Sequence, residues 1–200
     1  MKYIPLILIS ILCLACNGTQ KEEAKVISDS KSVEQEQTEL KDLSTGNYST
    51  LFINYKCDLN IEEIAELLNV PISDIEMPSN INNGENCVVR YSRNGTYESN
   101  LRWGSVPATK KGTEEAINRA LKYKKDGVSI LGSDILMAET KDCYLLRTPV
   151  NGRITIRSEN NDGAFQLFYG PKGKRTKEQH EEMKVKMTYL ANYMLKRHRK

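Results

Sequence analysis

Apolar residues recur along this chain with two periods, and the switches between them mark its elements. Ile61, Ile64, Ala65 and Leu68 fall at i, i+3, i+4 and i+7 behind Asn60, with Glu63 three residues after it. A capping asparagine with a reciprocal glutamate ahead of such a stripe predicts a helix over 61–69, stopped before Pro71. Segments 87–92 and 96–103 then flank Asn94-Gly95, the pair that a two-residue hairpin turn demands. Thr113 reads as the cap of a second helix with Ala116, Ile117, Ala120 and Leu121 on one face and Gly127 past its end. From Asp142 the period returns to two: 143–150, then 153–158 across Asn151-Gly152, then 164–169 across 160–163, which is a three-strand antiparallel meander. Thr176 and Gln179 form a capping-box pair ahead of Met183, Met187, Leu190 and Met194, a stripe expected to lie in the core. The expected fold is therefore α+β, an antiparallel sheet (hairpin plus meander) packed by helices and closed by a long C-terminal helix.

The N-terminal stretch obeys neither period. Lys2 precedes a run of 13 mostly apolar residues, 3–15, shorter than the roughly 20 that a spanning helix needs, so it reads as a cleaved leader. Residues 17–45 carry 4 Lys against 7 Asp/Glu with few apolar side chains, a composition that cannot bury enough surface to order itself. The chain divides accordingly into a signal peptide (1–15), a Cys16 followed by a disordered tether (16–48), and one α+β domain (49–200).

Leu14-Ala15-Cys16 at the end of the leader, with Leu12 and Cys13 before it, resembles a bacterial lipoprotein signal. That resemblance implies acylation of Cys16, palmitate among the chains attached, and an outer-membrane lipoprotein held to the bilayer by its lipid. Lys21-Glu22-Glu23 looks like the export tag of surface-exposed Gram-negative lipoproteins, so the body is expected in the periplasm or on the cell surface. A cysteine before the first helix, a second on the next strand and a closing helix are similar in arrangement to lipoproteins of the PsbP-like α/β/α-sandwich type. That likeness implies a binding or accessory role and brings no catalytic residues.

Composition refines the picture. With 39% hydrophobic and 28% charged residues and mean hydropathy −0.54, the chain is too polar for a polytopic membrane protein and too apolar to be disordered throughout. The net charge of +3 conceals a gradient, because residues 171–200 carry 10 Lys/Arg against 3 Glu. In an oxidising compartment, Cys57, Cys87 and Cys143 allow three pairings with one thiol left over. Cys57–Cys87 is the expected disulfide, since Cys143 alternates with Leu145 as a small buried side chain.

Chemistry is scarce. His180 and His198 are the two histidines, and His180-Glu181-Glu182-Met183-Lys184 lacks the second histidine of a zinc helix, so no metal, cofactor or catalytic residue is expected. The candidate sites are cationic. Lys172, Lys174 and Arg175 lead into the last helix, where an anion could be held, and Arg153 and Arg157 share one face of the meander with Thr155, with Arg147 expected to join them. The segment 59–82 also looks like the two-helix stretch of a LysM peptidoglycan-binding module. The function expected is thus a lipid-anchored, non-enzymatic binding or accessory protein of the Gram-negative envelope. Its partner would be an envelope protein or glycan, with no nucleic acid. The alternatives are a cell-wall or glycan-processing enzyme and a LysM-like peptidoglycan binder.

Overall fold

The computed structural model describes residues 45–79, 84–170 and 175–200. Among them, seven strands form one sheet with every neighbour antiparallel: β1 (Ile75–Glu76), β2 (Asn86–Arg93), β3 (Thr96–Val106), β4 (Asp134–Met137), β5 (Tyr144–Thr148), β6 (Arg153–Arg157) and β7 (Ala164–Phe168), in the order β1-β2-β3-β7-β6-β5-β4. The helices are α1 (Ser49–Phe52), α2 (Ile61–Leu68), α3 (Lys110–Lys125) and α4 (Lys177–His198). The expected α+β class, the hairpin, the meander and the long last helix are all present.

Local chemistry sets the boundaries as read at two helices. The Asn60 side chain accepts from the Glu63 N–H while the Glu63 carboxylate accepts from the Asn60 N–H, and Thr176 with Gln179 repeats this at α4. The third helix differs. Its cap is Thr109, whose hydroxyl accepts from the Gly112 N–H, so α3 starts four residues earlier than Thr113 implied. Thr113 instead lies buried on the face turned to the sheet, and Leu121 is exposed.

The main core lies on one side of the sheet. Met183, Met187, Leu190 and Met194 of α4 are fully buried there with Leu101, Trp103, Leu145, Ile154, Ile156 and Leu167. The Met stripe is thus core, as its spacing predicted. Cys57 and Cys87 are joined, their Cα atoms 5.1 Å apart, while Cys143 is a free, buried thiol. Over this disulfide the Tyr55 hydroxyl lies 3.2 Å from Cys87 Sγ and accepts from Trp103 Nε1 at 3.1 Å. The packed body begins ahead of residue 49, because Tyr48 is fully buried and Asn47 exchanges two backbone hydrogen bonds with Lys200.

On the other side, α3 packs against β4 and β5, with Ile117 over Ile135 in a small second cluster. The rest of that side, over β2, β3, β7 and the start of β6, carries no helix among the described residues.

Candidate functional site

Strand register decides which side chains meet on the uncovered side. Residues paired directly across antiparallel strands project to the same face, and the pairs Val88–Arg102, Arg102–Phe168, Phe168–Arg153 and Arg153–Thr148 run in one continuous row across β2, β3, β7, β6 and β5. The Arg102 guanidinium sits 5.6 Å from the centre of the Phe168 ring. Arg153 lies directly across Phe168 on its other flank, and its Nε is buried with no hydrogen-bond partner among the described residues. Phe168 and Arg153 are half-buried and Arg102 is exposed, so an aromatic ring stands between two arginines that reach the surface to different degrees.

The adjoining rows are polar. Asn86, Gly104, Gln166 and Thr155 pair in register beside the arginine row, and Arg90 pairs with Asn100 on its other side. A Cβ at Gly104 would meet the Asn86 Oδ1 at 1.9 Å, so the glycine leaves room for the Asn86 amide to lie over it. Arg90 makes an exposed pair with Glu76 at 3.4 Å. Beyond it, Arg90, Ser92, Tyr97 and Asn100 border a depression of about 530 Å³ at the hairpin end. No ion pair is formed by Arg102 or Arg153 among the described residues. The face therefore offers amides, an exposed aromatic edge and two uncompensated guanidinium groups, the donor set that fits carboxylate- or phosphate-bearing ligands with an apolar ring face.

Of the sequence candidates, Arg153 is on this face. Arg157 lies further along the same side under α3, where it donates to the Thr113 hydroxyl at 3.0 Å, and burial together with the Arg119 charge lowers its pKa. Arg147 is not with them. It stands directly across Ile154 on the core side, so it is two residues from Leu145 on the same face, and both oxygens of Asp134 accept from it. Strand alternation keeps Arg147 opposite Arg153 for any strand connection with an even number of residues, and here four residues, 149–152, join β5 to β6 between the paired Thr148 and Arg153. Arg175 is likewise withdrawn from any anion loop. Its side chain is fully buried and donates to Glu98, to the Tyr169 carbonyl and to Ser99 Oγ. Glu98 also accepts from Arg93, which reaches Glu182 of α4 at 3.0 Å, so these charges tie the hairpin to the last helix. Lys172, Lys174 and Cys16 lie outside the described residues.

The two histidines and the free thiol are each held by their surroundings. His180 is buried against the Tyr169 ring, centroids 5.4 Å apart, and His198 sits 3.4 Å from Asp58 with its pKa lowered by burial. Burial pushes the Cys143 thiol up to about 12, which leaves almost no thiolate at neutral pH. Over 59–82, α2 is followed by a single 3-10 turn, Ile72–Asp74, and then by β1, which pairs with β2 of the hairpin.

The sequence reading missed Arg102 and Phe168. Both were visible as alternate positions of predicted strands, but only the β3–β7–β6 pairing, which joins segments about 60 residues apart, places them side by side. Comparison with known proteins gives no matching family, no matching characterised relative and no matching solved structure.

Proposed function

We propose that this protein is a lipid-anchored, non-enzymatic binding or accessory protein of the Gram-negative cell envelope, which holds an acidic glycan on its uncovered sheet face. The observation that carries the reading is the Arg102–Phe168–Arg153 row: two guanidinium groups with no carboxylate partner among the described residues, set on either side of an aromatic ring. A sugar carboxylate or phosphate is held by the guanidinium forks, and the apolar face of the sugar ring covers Phe168. A flat face of this kind suits a polymer better than a small metabolite, which calls for a concave pocket.

Anchoring is assigned to acylation of Cys16, on the resemblance of Leu14-Ala15-Cys16 to a lipoprotein signal. Cys16→Ala should move the protein from the membrane pellet to the soluble envelope fraction. Continued pelleting of that variant would overturn the anchor.

Glycan binding is tested by titrating the protein with an acidic polysaccharide and a neutral one of equal length. Binding should be confined to the acidic polymer and weaken with salt, and Arg102→Ala and Arg153→Ala should each reduce affinity by about tenfold, the scale of one charge-assisted hydrogen bond. Equal binding of the neutral polymer, or indifference to both substitutions, would remove the reading.

A further inference from the structure

The helix-covered end of the same side carries a second feature, independent of the arginine row. On α3, Ala116 and Ala120 follow each other at i, i+4 on the flank that faces β5. Two small side chains there leave a groove of about 420 Å³, walled by Ala116, Ala120 and Tyr123 of the helix, Val128 and Ile130 of the loop behind it, and Leu146 of β5. That volume falls in the range of small-molecule sites, and it is too small for a helix about 10 Å across.

The charges along the groove are one-sided. Asp134 is the sole carboxylate among the described residues that line it, and both its oxygens are taken by Arg147. Arg119 lines the groove with no hydrogen bond or ion pair among the described residues. Lys124 stands on the same wall, its amino group 3.5 Å from the Ile135 carbonyl. An apolar trough with an uncompensated cationic wall complements an apolar chain that ends in an anion.

One residue past Ile130 of the groove wall, the loop is built against ordinary preference. The turn Ile130–Gly132 holds Leu131 at φ 53°, ψ 34°, left-handed backbone that a bulky L side chain disfavours. Leu131 is 63% exposed there, beside the exposed Val128 and Ile130. Strain that keeps apolar side chains in water is a mark of a surface awaiting an apolar occupant.

We infer that this groove binds a single-chain fatty carboxylate, its tail along Ala116, Ala120 and Leu146 and its carboxylate at Arg119 and Lys124.

The test is calorimetric titration of the full chain carrying Cys16→Ser, so that no acyl group of its own competes, with decanoate below its micelle concentration. Decanoate should bind. Butyrate should bind more weakly by over about a hundredfold, since each buried methylene is worth roughly fourfold in affinity. Arg119→Gln should weaken decanoate by about tenfold, and Ala120→Trp should abolish binding by filling the trough. Leu131→Asp, at an exposed position that folding tolerates, should weaken binding through an added like charge even if Ala120→Trp fails to fold. Decyl maltoside binding as tightly as decanoate would overturn the proposal, as would decanoate binding that ignores both Arg119→Gln and Leu131→Asp. A dimer in sedimentation that Leu131→Asp dissolves would make a second copy the occupant and overturn it equally.

Discussion

The Tyr48 hydroxyl donates to the Asp142 carboxylate across 2.7 Å, joining the segment just ahead of α1 to the turn before β5. The other Asp142 oxygen accepts from the Gly46 N–H at 2.9 Å and lies 3.5 Å from Arg199. One nearly buried carboxylate thus gathers the N-terminal segment and the C-terminus, which also exchange the Asn47–Lys200 backbone hydrogen bonds.

Asp142 should make stability depend on pH. Burial by itself would raise its pKa, but the Gly46 N–H, the Tyr48 and Thr140 hydroxyls and Arg199 outweigh burial and hold the carboxyl below its ordinary value. A folded pKa below the unfolded one, about 3.9, gives stability that is fully present above about pH 3.9 and lost as pH falls through the folded value. Asp142→Asn should therefore cost about 1–3 kcal/mol of stability at pH 7, read as a lower urea midpoint, and the difference from the parent should shrink at acid pH as the carboxyl protonates. An equal difference at both pH values would refute the account.

The Arg175–Glu98 pair is buried, with side chains 0% and 9% exposed. Breaking it by Glu98→Gln leaves a guanidinium without its counter-charge, and should cost about 3–5 kcal/mol. Lys196→Gln breaks the Lys196–Glu139 pair, which is exposed on both sides, and should change stability by less than about 0.5 kcal/mol. Denaturant midpoints of the two variants measure the contrast.

What the sequence revealed and what it concealed follow from the range of the interactions. Asn94-Gly95, Asn60/Glu63 and Thr176/Gln179 act within a few residues, so the hairpin and two helix starts could be read directly. The start of α3 was misplaced because Lys110-Lys111-Gly112 has no apolar residue to show that the helix has begun, and the Thr109 cap is as local as the others but precedes nothing periodic. β4 was missed because Asp134-Ile135-Leu136-Met137 is too short to show alternation, and its outer position becomes apparent only from its pairing with β5. The arginine row depends on β3 pairing with β7, a contact that no local pattern encodes, and Arg175 looked available because nothing near it in sequence reveals Glu98.

Thiol chemistry should separate the three cysteines of the domain. With Cys57 and Cys87 joined, residues 45–200 should yield one thiol under denaturation, and Cys143 should resist a thiol reagent in the native state, because it is buried and its pKa is raised to about 12. Replacing Cys57 and Cys87 by Ser should cost about 2–5 kcal/mol. Rapid native labelling of Cys143 would contradict its burial.

Leu190 is fully buried in the core beneath the sheet. Leu190→Ala should cost on the order of 2–5 kcal/mol, because the lost transfer free energy adds to the cavity left behind. An unshifted urea midpoint would mean that α4 does not pack on the sheet.

Leu131 offers a stability test tied to binding. Its side chain is largely exposed, so little packing is lost on truncation, whereas its left-handed backbone is disfavoured for any L side chain by roughly 1–2 kcal/mol. Leu131→Gly should relieve that strain and stabilise the fold by about 1 kcal/mol, a rise of roughly 2–4 °C in Tm for a chain of this size. Gly127, at φ 65° on the same loop, supplies the inverse test, because a Cβ added there would meet nothing within 4 Å. Gly127→Ala should destabilise by a similar amount through backbone strain alone. If Leu131 is kept strained for the sake of the groove, Leu131→Gly should gain stability and lose affinity for decanoate together, the exchange expected where function depends on strain. Gain of stability with unchanged affinity would separate the turn from the groove.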